Sequence, residues 1–151
     1  MERSVTSPLE LVVINLLIGE FEMKIAIDFD GTCVDHCFPD IGEEVPECVD
    51  VLKELVQAGH KLILNTMRSG EYLEPAVQWF ISRGIPLSGI NTDPAQSGWT
   101  QSPKCFSELY IDDAAFGAPI IERAGFNRKS IDWGVVREKL LILKTSAELA
   151  L

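Results

Sequence analysis

Short apolar runs alternate with amphipathic stretches along this chain, the pattern of an α/β domain. Ile25-Ala26-Ile27 lies in a predicted strand over residues 24–29, and residues 60–65 read as a second buried strand. Between them Val49, Leu52, Leu55 and Val56 recur at helical spacing. Pro46 suits the first turn of that helix and Gly59 its stop. A second helix is predicted over 71–82, with Val77, Phe80 and Ile81 inward and Gly84 at its end. Residues 86–90 and 109–111 supply further strands, 117–121 a short last one, and 134–143 a terminal helix. Residues 32–45 read as a loop or small hairpin. Residues 91–103 form a long turn-rich loop whose Trp99 is either a local lid or packed on the body. Trp79, Phe80 and Trp133 sit in apolar contexts and read as core. Strand and helix in repeated alternation imply a three-layer Rossmann-like domain with a mainly parallel sheet.

The 151 residues suffice for one domain with a full core, and 46% hydrophobic with 24% charged residues is ordinary globular composition. A formal net charge of −10 argues against nonspecific attraction to nucleic acid or an anionic membrane. The apolar stretch over 11–18 is bounded by Glu10 and Glu20 and is too short to span a bilayer. Residues 1–22 are either an extra helix or strand docking on the domain or an extension outside the domain proper, which runs from 23 to 151; the extension is the expectation, because the first strand begins immediately after Met23. Cys33, Cys37, Cys48 and Cys105 contain no Cys-x-x-Cys pair and read as free thiols of a cytoplasmic protein. Cys33, His36 and Cys37 cluster in sequence, but no fourth ligand for a soft metal is evident.

Candidate chemistry concentrates where the predicted strands end. Asp28-Phe29-Asp30-Gly31-Thr32 closes the first strand, Thr66 the second, and Asp112-Asp113 the strand over 109–111. In an open parallel sheet all of these converge on the carboxyl edge, where ligands bind. Carboxylates gathered at a strand end are costly without a cation, and Gly31 permits a sharp turn and close backbone approach. The pattern suits Mg²⁺ and a phosphorylated substrate, with Asp28 as nucleophile and Asp30 as proton donor and acceptor. Thr66 is placed to bond a phosphate oxygen. Arg68 is either a phosphate contact or a surface salt bridge, and Lys104 is a supporting cation or an ordinary surface lysine. A calcium loop fits poorly, since Thr32 and Val34 fall where oxygen-rich ligands belong.

Asp28-Phe29-Asp30-Gly31-Thr32, Thr66, Lys104 and Asp112-Asp113 stand in the order of the four motifs of the haloacid dehalogenase-like hydrolase superfamily, and residues 23–133 resemble it throughout. The resemblance implies a Rossmann-like sheet and an aspartyl-phosphate formed on Asp28, with Asp30 as acid/base. It implies Thr66 as phosphate binder, Lys104 as supporting cation, and Mg²⁺ held by Asp28, the Asp30 backbone carbonyl, and Asp112 with Asp113. Dehalogenating members lack the second aspartate, so Asp30 favours phosphate chemistry. The short segments between motifs leave no room for a large cap domain, which makes the chain similar to small bacterial and phage hydrolase-like proteins. The expected substrate is a small phosphorylated molecule such as a nucleotide or sugar phosphate, with a polynucleotide end and an oligomeric assembly both left open. A noncatalytic phosphate- or Mg²⁺-binding regulator, or a subunit completed by a partner, is the alternative. A signalling receiver domain fails on order, because its acidic pair precedes the phosphorylated aspartate.

Overall fold

The computed structural model describes residues 22–140. At its centre lie β1 (Lys24–Ile27), β2 (Lys61–Leu64), β3 (Gly89–Ile90) and β4 (Leu109–Ile111), in the order β3-β2-β1-β4 with every pairing parallel. Ile25, Ala26, Ile27, Leu62, Ile63 and Leu64 are all buried, so β1 and β2 are covered on both faces, as continuous apolar runs in parallel sheets require.

Helices α1 (Cys48–Gln57) and α2 (Leu73–Ser82) pack on one face. There Val51, Leu52, Leu55, Ala76, Trp79 and Phe80 meet Ile25, Ile27, Phe29, Leu62 and Leu64. On the opposite face Ala26 and Ile63 lie under Cys105, which belongs to the crossover from β3 to β4. This is an α/β fold with a mainly parallel sheet between two covering layers. The chain winds outward from β1 through β2 to β3, then returns across the second face to β4 on the far side of β1. The winding therefore reverses between β1 and β4, the position where such sheets bind ligands.

The register sets the edge. Ile27 pairs with both Leu64 and Ile111, so Asp28, Asn65 and Asp112 emerge level with one another. The Asp28 amide donates to the Ile111 carbonyl at 2.9 Å and the Asn65 amide to Ile27 at 2.8 Å, continuing the ladder one step past the strands.

Several elements differ from the sequence-based expectations. Helix α1 begins at Cys48, because Glu47 takes a left-handed backbone (φ 66°) directly after Pro46. In α2 Ala76, Trp79 and Phe80 are buried and Val77 packs partly buried against the core, as expected for Val77 and Phe80, while Ile81 is 57% exposed. Five residues beyond Ala76, Ile81 lies about 140° around the helix and leaves the apolar stripe. The predicted last strand is β5 (Ile120–Ile121), which leaves the main sheet and pairs antiparallel with β6 (Ser130–Ile131). Residues 133–140 form helix α3, tied to the α1 region by Arg137 bonds to Glu47 and Glu54 at 2.7–3.0 Å. Apart from Glu22, the predicted extension lies outside the described residues, as do positions 141–143 of the predicted terminal helix. No helix among the described residues is long and apolar enough to cross a membrane.

Candidate functional site

At the switch point between β1 and β4, one carboxylate oxygen from each of Asp28, Asp112 and Asp113 lies within 4.8 Å of the others. Thr32, fully buried, ties them together. Its hydroxyl donates to Asp28 Oδ2 at 2.9 Å and accepts the Asp113 amide at 3.2 Å. The Thr32 carbonyl in turn accepts Trp133 Nε1 at 2.7 Å, so the buried indole anchors the turn from below. The Ala114 amide fixes Asp112 Oδ1 at 2.8 Å. Gly31 has φ +86°, and a Cβ there would collide with the His36 imidazole and the Asp113 carboxylate. Glycine is required at this corner on both counts.

The electrostatics follow from this crowding. Burial, and then the neighbouring Asp112 carboxylate, push the Asp28 acid up from its ordinary 3.8 to about 8, against the opposing bonds from Thr32 and the Phe29 backbone. Ionising Asp28 here costs free energy until a cation arrives. Three hard carboxylate oxygens, with no thiolate among them, match a hard divalent cation such as Mg²⁺.

The Asp30 carboxylate is not part of this group. Its two oxygens accept from Arg68 Nε and Nη2, both at 2.7 Å, in a bidentate pair. The Arg68 side chain is only 1% exposed. Its remaining donors reach the Pro39, Asp40 and Tyr72 carbonyls at 3.0, 2.8 and 3.5 Å, and its guanidinium lies between the rings of Phe29 and Phe38. Every guanidinium nitrogen is thus engaged by the protein. Arg68 is therefore not a surface ion pair; it clamps Asp30 and the 32–45 loop together.

Thr66 sits at the carboxyl edge of β2, half-buried. Its hydroxyl accepts the Arg68 amide at 3.1 Å and its own amide donates to Asn91 Oδ1 at 2.7 Å. Lys104 is exposed, with Nζ 5.7 Å from the Tyr110 ring, and makes no ion pair with the acids. Gln96, 4% exposed, holds the Lys104 carbonyl at 3.0 Å and so fixes where the lysine emerges. Trp99 packs edge-on against Phe106 at 5.4 Å. That ring also faces Nζ of Lys24 at the start of β1, so Trp99 belongs to the crossover layer and does not cover the acids. The Cys33, His36 and Cys37 group does not converge. The buried Cys33 thiol donates to the Asp28 carbonyl and is pushed up by burial, Cys37 meets Asn127, and His36 turns to the acids.

Three contributors escape the motif reading. Thr32 lies inside the first motif, yet only its burial between two acids reveals its linking role. His36 places Nε2 2.9 Å from Asp113 Oδ2, a contact across 77 residues with no local signal. Asn91 positions Thr66 from a left-handed backbone (φ 57°); an asparagine directly after a strand is the hint it leaves in sequence.

Neither a protein-family model nor a curated protein matches the chain. A solved structure does: a conserved protein from Bacteroides thetaiotaomicron, 38% identical, aligned over 85% of this chain and 97% of that one, with a TM-score of 0.66.

Proposed function

The chain belongs to the family of this conserved Bacteroides thetaiotaomicron protein, and we propose that it is a Mg²⁺-dependent phosphomonoester hydrolase acting through Asp28. The observation that carries the reading is the convergence of Asp28, Asp112 and Asp113 at the switch point, with Asp28 unfavourable as an anion there. Asp28, Asp112 and Asp113 would hold the ion, whose charge would offset that of the phosphate and the carboxylates.

Asp28 attacks phosphorus and becomes an aspartyl-phosphate while the leaving oxygen departs. Asp30 protonates that oxygen and later takes a proton from the attacking water. Carrying the proton requires one of its two contacts to Arg68 to lengthen. Thr66 keeps its hydroxyl hydrogen for a phosphate oxygen, because the Arg68 amide uses only the acceptor side. Lys104, unpaired with any acid among the described residues, supplies a mobile positive charge. The substrate is a small phosphorylated molecule, a nucleotide or a sugar phosphate.

The test is phosphate release from a panel of phosphomonoesters with Mg²⁺, beside EDTA and Asp28→Asn controls. Mg²⁺-dependent release lost in both controls is expected. Release from no compound contradicts the reading. The closed Arg68–Asp30 pair favours a second reading, a noncatalytic phosphate- or Mg²⁺-binding regulator. In that case calorimetry detects Mg²⁺ and phosphate binding without turnover.

A further inference from the structure

Phe38 and Tyr72 stand where the loops after β1 and β2 meet, with ring centroids 5.2 Å apart in an edge-on arrangement. Phe38 is 58% exposed and Tyr72 40%, unlike Phe29, Trp79 and Phe80, which the same chain buries in its core. We propose that this pair is a stacking platform for the leaving side of the substrate, which is therefore a phosphomonoester bearing a planar aromatic ring. The inference rests on the phosphatase reading and narrows its substrate class.

Arg68 links the platform to the chemistry. Its guanidinium carbon lies 5.2 Å from the Phe38 centroid, and the same guanidinium grips both oxygens of Asp30. Asp30 is the residue that serves the leaving oxygen, so the ring pair stands one guanidinium away on the leaving-group side. Bonds from Arg68 to the Pro39 and Asp40 carbonyls, at 3.0 and 2.8 Å, and to the Tyr72 carbonyl hold both aromatic residues in place. A preorganised ring loses little entropy when a ligand stacks on it. Phe38 and Tyr72 touch, so they form one contiguous exposed aromatic patch beside the polar site, the arrangement that favours a ligand surface. A sugar phosphate offers them no aromatic face, whereas a base or aryl ring stacks on any exposed aromatic surface.

A nucleotide and a simple aryl phosphate share this chemistry, and the test separates them. We would measure kcat/KM with Mg²⁺ for AMP, UMP, phenyl phosphate and glycerol 3-phosphate, in the native protein and in Phe38→Leu and Tyr72→Leu. Leucine keeps much of the apolar volume, and thermal unfolding verifies each variant. The expected result is a fall of about tenfold in the ratio of ring-bearing to ring-free kcat/KM, expressed through KM, the lower range of a lost base-stacking contact. Nucleotides exceeding phenyl phosphate identify the base as the ring; the reverse identifies an aryl ester. Unchanged ratios in both variants overturn the platform, even if absolute rates fall. If no compound is hydrolysed, the phosphatase reading fails separately. Calorimetric binding of AMP and glycerol 3-phosphate then decides: tighter AMP binding that depends on Phe38 sustains the platform, and equal affinities overturn it.

Discussion

Replacing Arg68 with methionine tests its part as an internal clamp. The wild-type guanidinium is 1% exposed and bonds two carboxylate oxygens and three carbonyls while lying between two rings. Methionine retains the apolar packing but leaves Asp30 as a charged group without its partner. Breaking a buried ion pair from one side costs about 3–5 kcal/mol, the lower end applying here because Asp30 is 19% exposed. In a chain of this size that corresponds to a drop of roughly 6–12 °C in melting temperature. Urea unfolding of the wild type, Arg68→Met, Asp30→Leu and the double variant closes a thermodynamic cycle. The double variant should lose less than the sum of the single losses, because neither group is then left alone. The clamp is refuted if Arg68→Met unfolds within about 0.5 kcal/mol of wild type and only raises KM, the behaviour of an exposed substrate contact.

Metal-free protein should lose stability as pH rises. Asp28 titrates near 8 when folded and near 3.8 when unfolded, so the native state holds the extra proton. Its contribution is complete below about pH 4 and is lost as pH climbs through about 8. Melting temperatures in EDTA should fall across that window. Mg²⁺ at about 100 times its dissociation constant should restore about 2.7 kcal/mol, and Asp28→Asn should flatten the pH dependence and weaken the Mg²⁺ effect. Lys104→Ala should reduce kcat by about a hundredfold, the loss typical of one charge-stabilising donor, while urea unfolding stays within about 0.5 kcal/mol of wild type. Equal rates would return Lys104 to the surface-lysine reading. Gly31→Ala should cost upward of about 2 kcal/mol in the same unfolding assay, since the left-handed backbone and the His36 and Asp113 contacts both oppose a Cβ. A neutral result would mean that this corner is looser than its geometry indicates.

The strands carrying the acids were legible because their apolar runs stop where the polar residues begin, and a parallel register then aligns those stops. Ile27, Leu64 and Ile111 form one row, so Asp28 and Asp112 had to emerge together. Long-range pairings were not legible. Arg68 finds Asp30 across 38 residues, and the carbonyls of Pro39 and Asp40 that complete its shell leave no trace in local patterning. His36 reaches Asp113 the same way, which is why it looked like a companion of nearby cysteines. Residues 117–121 read as a short last strand, but only tertiary context could narrow it to 120–121 and assign its partner as the antiparallel segment 130–131. The sequence leaves Trp99 open between lid and body because its packing partner Phe106 lies beyond the loop's turn signals.

The central claim is that phosphate passes through Asp28. Protein is mixed with Mg²⁺ and p-nitrophenyl phosphate and quenched during turnover; borohydride then reduces an aspartyl-phosphate to homoserine at the phosphorylated position, releasing phosphate. Peptide mass spectrometry should then find homoserine at residue 28, absent without Mg²⁺; phosphate release with residue 28 unmodified, or homoserine at another aspartate, would contradict the account.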